Sequence, residues 1–158
     1  MTLRYRMESE IPPVIPLRLK IEINTREHFA VFDTVRHPFI IQSPWYDGQA
    51  EIRTYALDEL LATKLRALYQ RRKGRDLFDL WIGLGMKGAG PARIADAFRK
   101  YMHAGGDKVS RREFEMNLEA KVALRQFNDD LRPLLAPAIR YDAVSAARMV
   151  SEKLLSKL

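Results

Sequence analysis

The sequence predicts an α+β domain in which three or four strands come first and a helical part follows. Two patterns carry this expectation. Leu17, Leu19, Ile21 and Ile23 alternate with Arg18, Lys20, Glu22 and Asn24, the period-two signature of a half-buried strand. From residue 57 the spacing changes to threes and fours: Leu57, Leu60, Leu61, Lys64, Leu65 and Leu68 mark one side of a helix. The change divides the chain into a strand-rich stretch, 1–56, and a helical stretch, 57–158, within one compact unit.

The elements follow in order. Pro12, Pro13 and Pro16 keep the lead-in to the first clear strand extended. Residues 28–37, HFAVFDTVRH, have the aromatic and β-branched character of a second strand, and FIIQ after Pro38 reads as a third. SPWYDGQ is a turn punctuated by Pro44, Asp47 and Gly48, after which EIRTYA reads as one more strand. An amphipathic helix is expected over 57–72, broken by Gly74, and a second opens at Asp76 with Leu77, Leu80 and Trp81 on its apolar face. Gly83, Gly85, Gly88 and Gly90 read as a flexible turn. Pro91 suits an early position in a helix that ends near Gly105. Ser110 and Glu113 form a capping box for a helix through about Asn128. A last helix is expected over 141–158, with Asp142 near its start and Lys153 and Lys157 near its end, as the helix dipole favours.

Composition narrows the classes. A chain of 158 residues with 47% hydrophobic content can bury a core, which argues against disorder. No apolar run approaches the roughly 18–20 residues that span a bilayer. The opening MTLRYRMESE lacks the apolar centre of a secretion signal, so the expected compartment is the cytoplasm. Without cysteine there are no disulfides, and the scattered His28, His37 and His103 argue against a structural zinc site. The formal net charge of +7 suits a polyanionic partner such as nucleic acid, a nucleotide or an acidic protein, although lysines and arginines also solvate helix faces.

The chemistry concentrates in residues 58–81, DELLATKLRALYQRRKGRDLFDLW. Lys64 borders the apolar face of its helix. It is either a lysine laying its stem on the core or an ammonium that holds phosphate as a compact point charge. Asp76 and Asp79 share a helix face at i and i+3. They can serve as a cap and a favourable first-turn charge. They can also belong to a network in which a carboxylate orients a cation that touches phosphate, with Asp76 and Lys64 as the pair to test. Arg71, Arg72, Lys73 and Arg75 crowd the turn beside them. Glu22 lies on the polar side of its strand, either as a solvated carboxylate or as a strand carboxylate at a metal or base position. Trp45 and Tyr46 either pack on the domain or stack on a base. The glycines at 83–90 do not form a phosphate loop, since no Gly-Lys-Ser/Thr ends the run.

The segment resembles the AbiEii family of nucleotidyltransferase-fold toxins of type IV toxin–antitoxin and abortive-infection loci. The shared pattern is an acidic helix start, a lysine, Ala-Leu, several arginines and then Arg-Asp-hydrophobic-aromatic-Asp. Here these are Glu59, Lys64, Ala67-Leu68, Arg71-Arg72 and Arg75-Asp76-Leu77-Phe78-Asp79. LKIEIN, with LRYRMES before it, also resembles the family strand that follows its metal-binding hairpin, so the likeness covers roughly residues 1–85.

The resemblance implies part of a nucleotidyltransferase-like sheet, a nucleotide triphosphate substrate, magnesium, an RNA acceptor such as tRNA, and a cognate antitoxin. It places Lys64, Asp76 and Glu22 in catalytic positions and Arg71, Arg72, Arg75 and Asp79 around the substrate. The family's first motif, a Gly-Ser followed by an Asp-x-Asp that holds the metals, has no counterpart in these 158 residues, and Asp129-Asp130 has the wrong spacing for it. The expectation is therefore an N-terminally truncated member that is inactive alone and binds magnesium weakly. The alternative is a non-catalytic basic module that binds RNA or an antitoxin. Strands with an uncovered edge or apolar face also predict a homodimer or a partner-dependent fold.

Overall fold

The computed structural model describes residues 1–23 and 29–158; Asn24 and His28, the first residue of HFAVFDTVRH, lie outside them. The chain is α+β, as its patterns predict. The strands are β1 (Thr2–Glu8), β2 (Pro16–Glu22), β3 (Val35–Gln42) and β4 (Asp47–Thr54). The helices are α1 (Leu57–Gln70), α2 (Gly74–Gly85), α3 (Pro91–Ala104), α4 (Arg111–Val122), the short α5 (Arg125–Asp129) and α6 (Ala143–Lys153).

Among the described residues the strands do not share one sheet. β1 pairs only with β2 and β3 only with β4, each as an antiparallel hairpin. Pairing with the neighbour in sequence closes only a short loop and carries the smallest entropic cost. Register sorts each hairpin into faces. Leu3 opposes Ile21, Tyr5 opposes Leu19 and Met7 opposes Leu17 on one side of the first hairpin. Val35, His37, Phe39 and Ile41 face Thr54, Ile52, Ala50 and Gly48 on one side of the second. Both apolar sides are open to solvent, with Leu19 47% exposed and Phe39 47% exposed.

The core belongs to the helices. Leu61, Leu65 and Leu68 of α1 meet Leu77, Leu80 and Leu84 of α2, Ile94, Phe98 and Met102 of α3, Phe114 and Leu118 of α4, and Val150 of α6. Each such side chain contributes about 1.5–3 kcal/mol by leaving water. No described strand residue belongs to this cluster; among the described residues of the strand-rich stretch, Val31 and Phe32 pack against it. Two glycines set how closely the helices approach. A Cβ on Gly83 would strike the Leu61 side chain, and one on Gly74 would strike the Phe127 carbonyl oxygen.

Several boundaries differ from expectation, each for a physical reason. HFAVFDTVRH is not a strand of its own, because the Val31 and Phe32 amides donate to the Glu59 carboxylate instead of a ladder. Its last residues and FIIQ form the single strand β3, which runs through Pro38. A two-stranded ladder has an open edge, where a residue without an N–H is tolerated. Gly74 opens α2 instead of closing α1, and Gly83 and Gly85 lie inside α2. The helix from Ser110 stops at Val122, with α5 following as a separate turn. The last helix ends at Lys153, and a 3-10 turn takes Leu155–Lys157. The local capping signals hold: Ser110 and Glu113 form a reciprocal box, Asp142 caps α6 and Pro91 is the first residue of α3.

Candidate functional site

The site lies where α1 and α2 meet across the basic turn. Lys64 sits on α1 beside the buried leucines, with its side chain 39% exposed. Its Nζ is 2.6 Å from Asp79 Oδ2 and 3.9 Å from Asp76 Oδ1 on α2. The sequence-predicted Lys64, Asp76 and Asp79 are therefore brought together, with Asp79 the closer partner.

Asp76 is fully buried. It makes no capping hydrogen bond; Lys73 occupies the N-cap of α2, with no side-chain bond there. Arg71 instead donates to it twice, Nε to Oδ2 and Nη2 to Oδ1, both at 2.6 Å. This bidentate grip matches the planar guanidinium to the carboxylate. The hydrogen bond to Asp76, reinforced by its charge, raises the Arg71 pKa above the ordinary guanidinium value.

The remaining cations of the turn divide. Asp130 lies 3.3 Å from Lys73 Nζ and 3.9 Å from Arg75 Nε. Arg72 is exposed and, among the described residues, has no carboxylate within ion-pair distance. Of the predicted substrate-binding arginines, Arg71 spends its fork inside the protein, Arg75 leans on Asp130, and Arg72 is open to solvent.

Lys121 is a buried residue that the sequence reading missed. It donates to the Leu68 and Tyr69 carbonyls, which are left unpaired at the end of α1. Burial, with the nearby Arg72 charge, pushes its ammonium down to about 8, while Asp76 acts in the opposite direction. The signal was present in the spacing: Phe114, Leu118 and Lys121 follow one another at helical intervals on the buried side of α4. Lys121 thereby fixes the point where α1 hands over to the basic turn.

Glu22 stands apart. It is exposed at the end of β2, where Lys20 lies 2.6 Å away. Hydrogen bonding and charge from Lys20, with help from Arg4, lower its carboxyl pKa. No described contact joins it to the Lys64 cluster.

Glu59, at the acidic start of α1, is fully buried and accepts from the Val31 amide at 2.6 Å, the Phe32 amide at 3.1 Å and the Tyr101 hydroxyl at 2.6 Å. It pins the segment that joins the two hairpins onto the helical body. Asp58 beside it accepts from the Gly90 amide at 2.7 Å and from Arg93 Nε at 2.8 Å. Trp45 does not pack on the domain: it is 85% exposed at the β3–β4 turn.

The donor set does not fit a metal. Among the described residues no three His, Cys, Asp or Glu side chains are grouped to hold one. Asp76 gives both oxygens to Arg71, and Asp79 is engaged by Lys64. The arrangement offers something different: a compact ammonium with donors to spare beyond Asp79, held between α1 and α2, with the exposed Arg72 guanidinium on the turn that joins them. That combination suits phosphate oxygens. A cavity of about 550 Å³ between α4 and α6, bounded by Leu118, Val122, Val144 and Ala147, contains none of these residues.

A family model described as nucleotidyl transferase AbiEii toxin, Type IV TA system, matches residues 1–150. No curated protein and no solved structure matches the chain.

Proposed function

The chain belongs to the AbiEii family of nucleotidyl transferase toxins of type IV toxin–antitoxin systems, and from that premise we propose that it uses Lys64 to hold the phosphates of a nucleoside triphosphate. The observation that carries this reading is the position of Lys64, within 2.6 Å of Asp79 and 3.9 Å of the buried Asp76. Asp76 and Arg71 act as positioning residues that fix the turn, while Arg72 supplies a second cation. The acceptor in this reading is RNA, tRNA among the candidates, with the cytoplasm as compartment and a cognate antitoxin as partner.

The 158 residues taken alone bind nucleotide without transferring it. They contain no Gly-Ser and no Asp-x-Asp, and the described carboxylates do not converge on a cation site. No magnesium-dependent step is assigned to them. The open apolar sides of the hairpins support a homodimer or a partner-dependent assembly.

Calorimetry with GTP, CTP, ATP and UTP, on the wild type and on Lys64→Ala, tests the reading. Binding of at least one nucleotide that Lys64→Ala removes is expected. Binding that survives Lys64→Ala, or none with any nucleotide, would contradict it. Incubation of the chain with labelled nucleotide and tRNA should give no labelled RNA; labelled product would refute the inactivity.

A further inference from the structure

We infer that the polar face of the β1–β2 hairpin is a surface that grips the sugar–phosphate backbone of RNA. The inference rests on the RNA-acceptor reading above and locates where that acceptor would be held.

The register places Arg4 opposite Lys20 and Arg6 opposite Arg18. Partners directly opposite in an antiparallel pair lie on one face, with Cβ atoms about 4.5–5.5 Å apart. Next-nearest residues along a strand follow at about 6.8 Å. Four cations therefore form a compact block, and two like-charged pairs confront one another. Such pairs destabilise a hairpin, and this hairpin has no packed core to offset the repulsion, since none of its residues joins the hydrophobic cluster.

Neutralisation within the chain is partial. Glu22 pairs with Lys20 at 2.6 Å, and Glu8 ends the same face on the other strand. Among the described residues no carboxylate comes within ion-pair distance of Arg4, Arg6 or Arg18. The two carboxylates bracket the block, so the cationic stretch is short and bounded.

An array that repels itself and is only partly neutralised is stabilised by a polyanion. The guanidinium fork matches phosphate oxygens in two-point contact, and three of the four cations are arginines. The hairpin geometry disfavours a lipid surface. Its apolar residues Leu3, Tyr5, Met7, Leu17, Leu19 and Ile21 lie on the opposite face, so a hairpin resting on lipid through them would turn its cations away.

The test is fluorescence anisotropy of a labelled single-stranded RNA of mixed sequence, titrated with the full chain over a range of salt. The Arg6→Gln/Arg18→Gln variant removes the central pair. Lys108→Gln/Arg112→Gln removes equal charge from exposed positions elsewhere. We expect the hairpin variant to bind about tenfold more weakly at low salt, with its log–log salt slope shallower by about 1.4 for two lost single-strand contacts. The control should change less than about twofold on the same scale. The hairpin variant should unfold at an unchanged or higher temperature, because a repulsive pair is gone, so lost binding would not reflect lost fold. Equal losses in both variants, or no RNA binding by the wild type, would overturn the inference. So would competition by polyglutamate, or binding to phosphatidylserine vesicles, as strong as that of RNA. Nucleotide binding that depends on Lys64 while RNA affinity ignores the hairpin would remove this inference and leave the nucleotide reading intact.

Discussion

Arg71 and Asp76 are locked together across the α1–α2 turn by two parallel hydrogen bonds of 2.6 Å, and the carboxylate is entirely shielded from solvent while half of the arginine side chain is exposed. This asymmetry sets which partner matters more. Arg71→Ala strands a buried carboxylate whose next cation, Lys64, is 3.9 Å away, and should cost about 3 kcal/mol. Asp76→Ala removes the buried charge and lets Arg71 turn to water, for about 1–2 kcal/mol. Urea unfolding of both variants checks the order; Asp76→Ala proving the more damaging would contradict the account.

Glu59 ties the segment between the hairpins to the helices. Glu59→Ala removes the acceptor shared by the Val31 and Phe32 amides and the Tyr101 hydroxyl, and should cost several kcal/mol, at about 1–3 for each hydrogen bond lost at this part-buried to buried site. Tyr101→Phe removes one donor only and should cost about 1–2 kcal/mol. Amide hydrogen exchange should show Val31 and Phe32 losing protection in Glu59→Ala and keeping it in Tyr101→Phe.

Much of the helical half was legible because its signals are local. Ser110 with Glu113, Asp142 before α6 and Pro91 at the first position of α3 act within one turn, and one turn of sequence contains them. The leucine stripe of α1 was legible for the same reason. The long-range polar contacts were not. Glu59 reaches its partners across 42 positions to Tyr101, Lys73 meets Asp130 across 57, and Lys121 meets Leu68 across 53. Only tertiary packing makes such contacts. The strand pattern showed which residues share a face, but the pairing partner depends on loop closure, and here each strand took its neighbour.

Gly74 is a position where any side chain is excluded. Its Cβ would meet the carbonyl oxygen of Phe127, which is backbone and cannot rotate away. Gly74→Ala should destabilise by about 1–3 kcal/mol as an overpacked contact, despite the better helix propensity of alanine. Gly85→Ala, with open space around the new methyl, should be neutral or stabilising by up to about 1 kcal/mol. Thermal melts of the two variants decide it.

Lys121 makes stability depend on alkaline pH. Its folded pKa of about 8 lies below the ordinary 10.5, so between these values the unfolded chain binds more protons and stability rises with pH. The cost of the buried ammonium is fully felt below about 8 and fades above it. Burial raises the Tyr141 pKa from 10.0, and because the unfolded phenol ionises first, that group opposes the trend above pH 10. Denaturant unfolding from pH 7 to 10 should show the rise in the wild type and lose it in Lys121→Met.

The central claim is that triphosphate binds the Lys64 ammonium, whose near partner in the structure is Asp79. The measurement that tests it most directly is a double-mutant cycle on nucleotide affinity, with the wild type, Asp79→Asn, Lys64→Ala and the double variant compared by calorimetry. Freeing Lys64 from its 2.6 Å partner should tighten nucleotide binding about two- to fivefold, the scale of a partly exposed ion pair. That gain should vanish when Lys64 is alanine. An Asp79→Asn effect of equal size with and without Lys64 would mean that the phosphates do not use this lysine, and the account would fail.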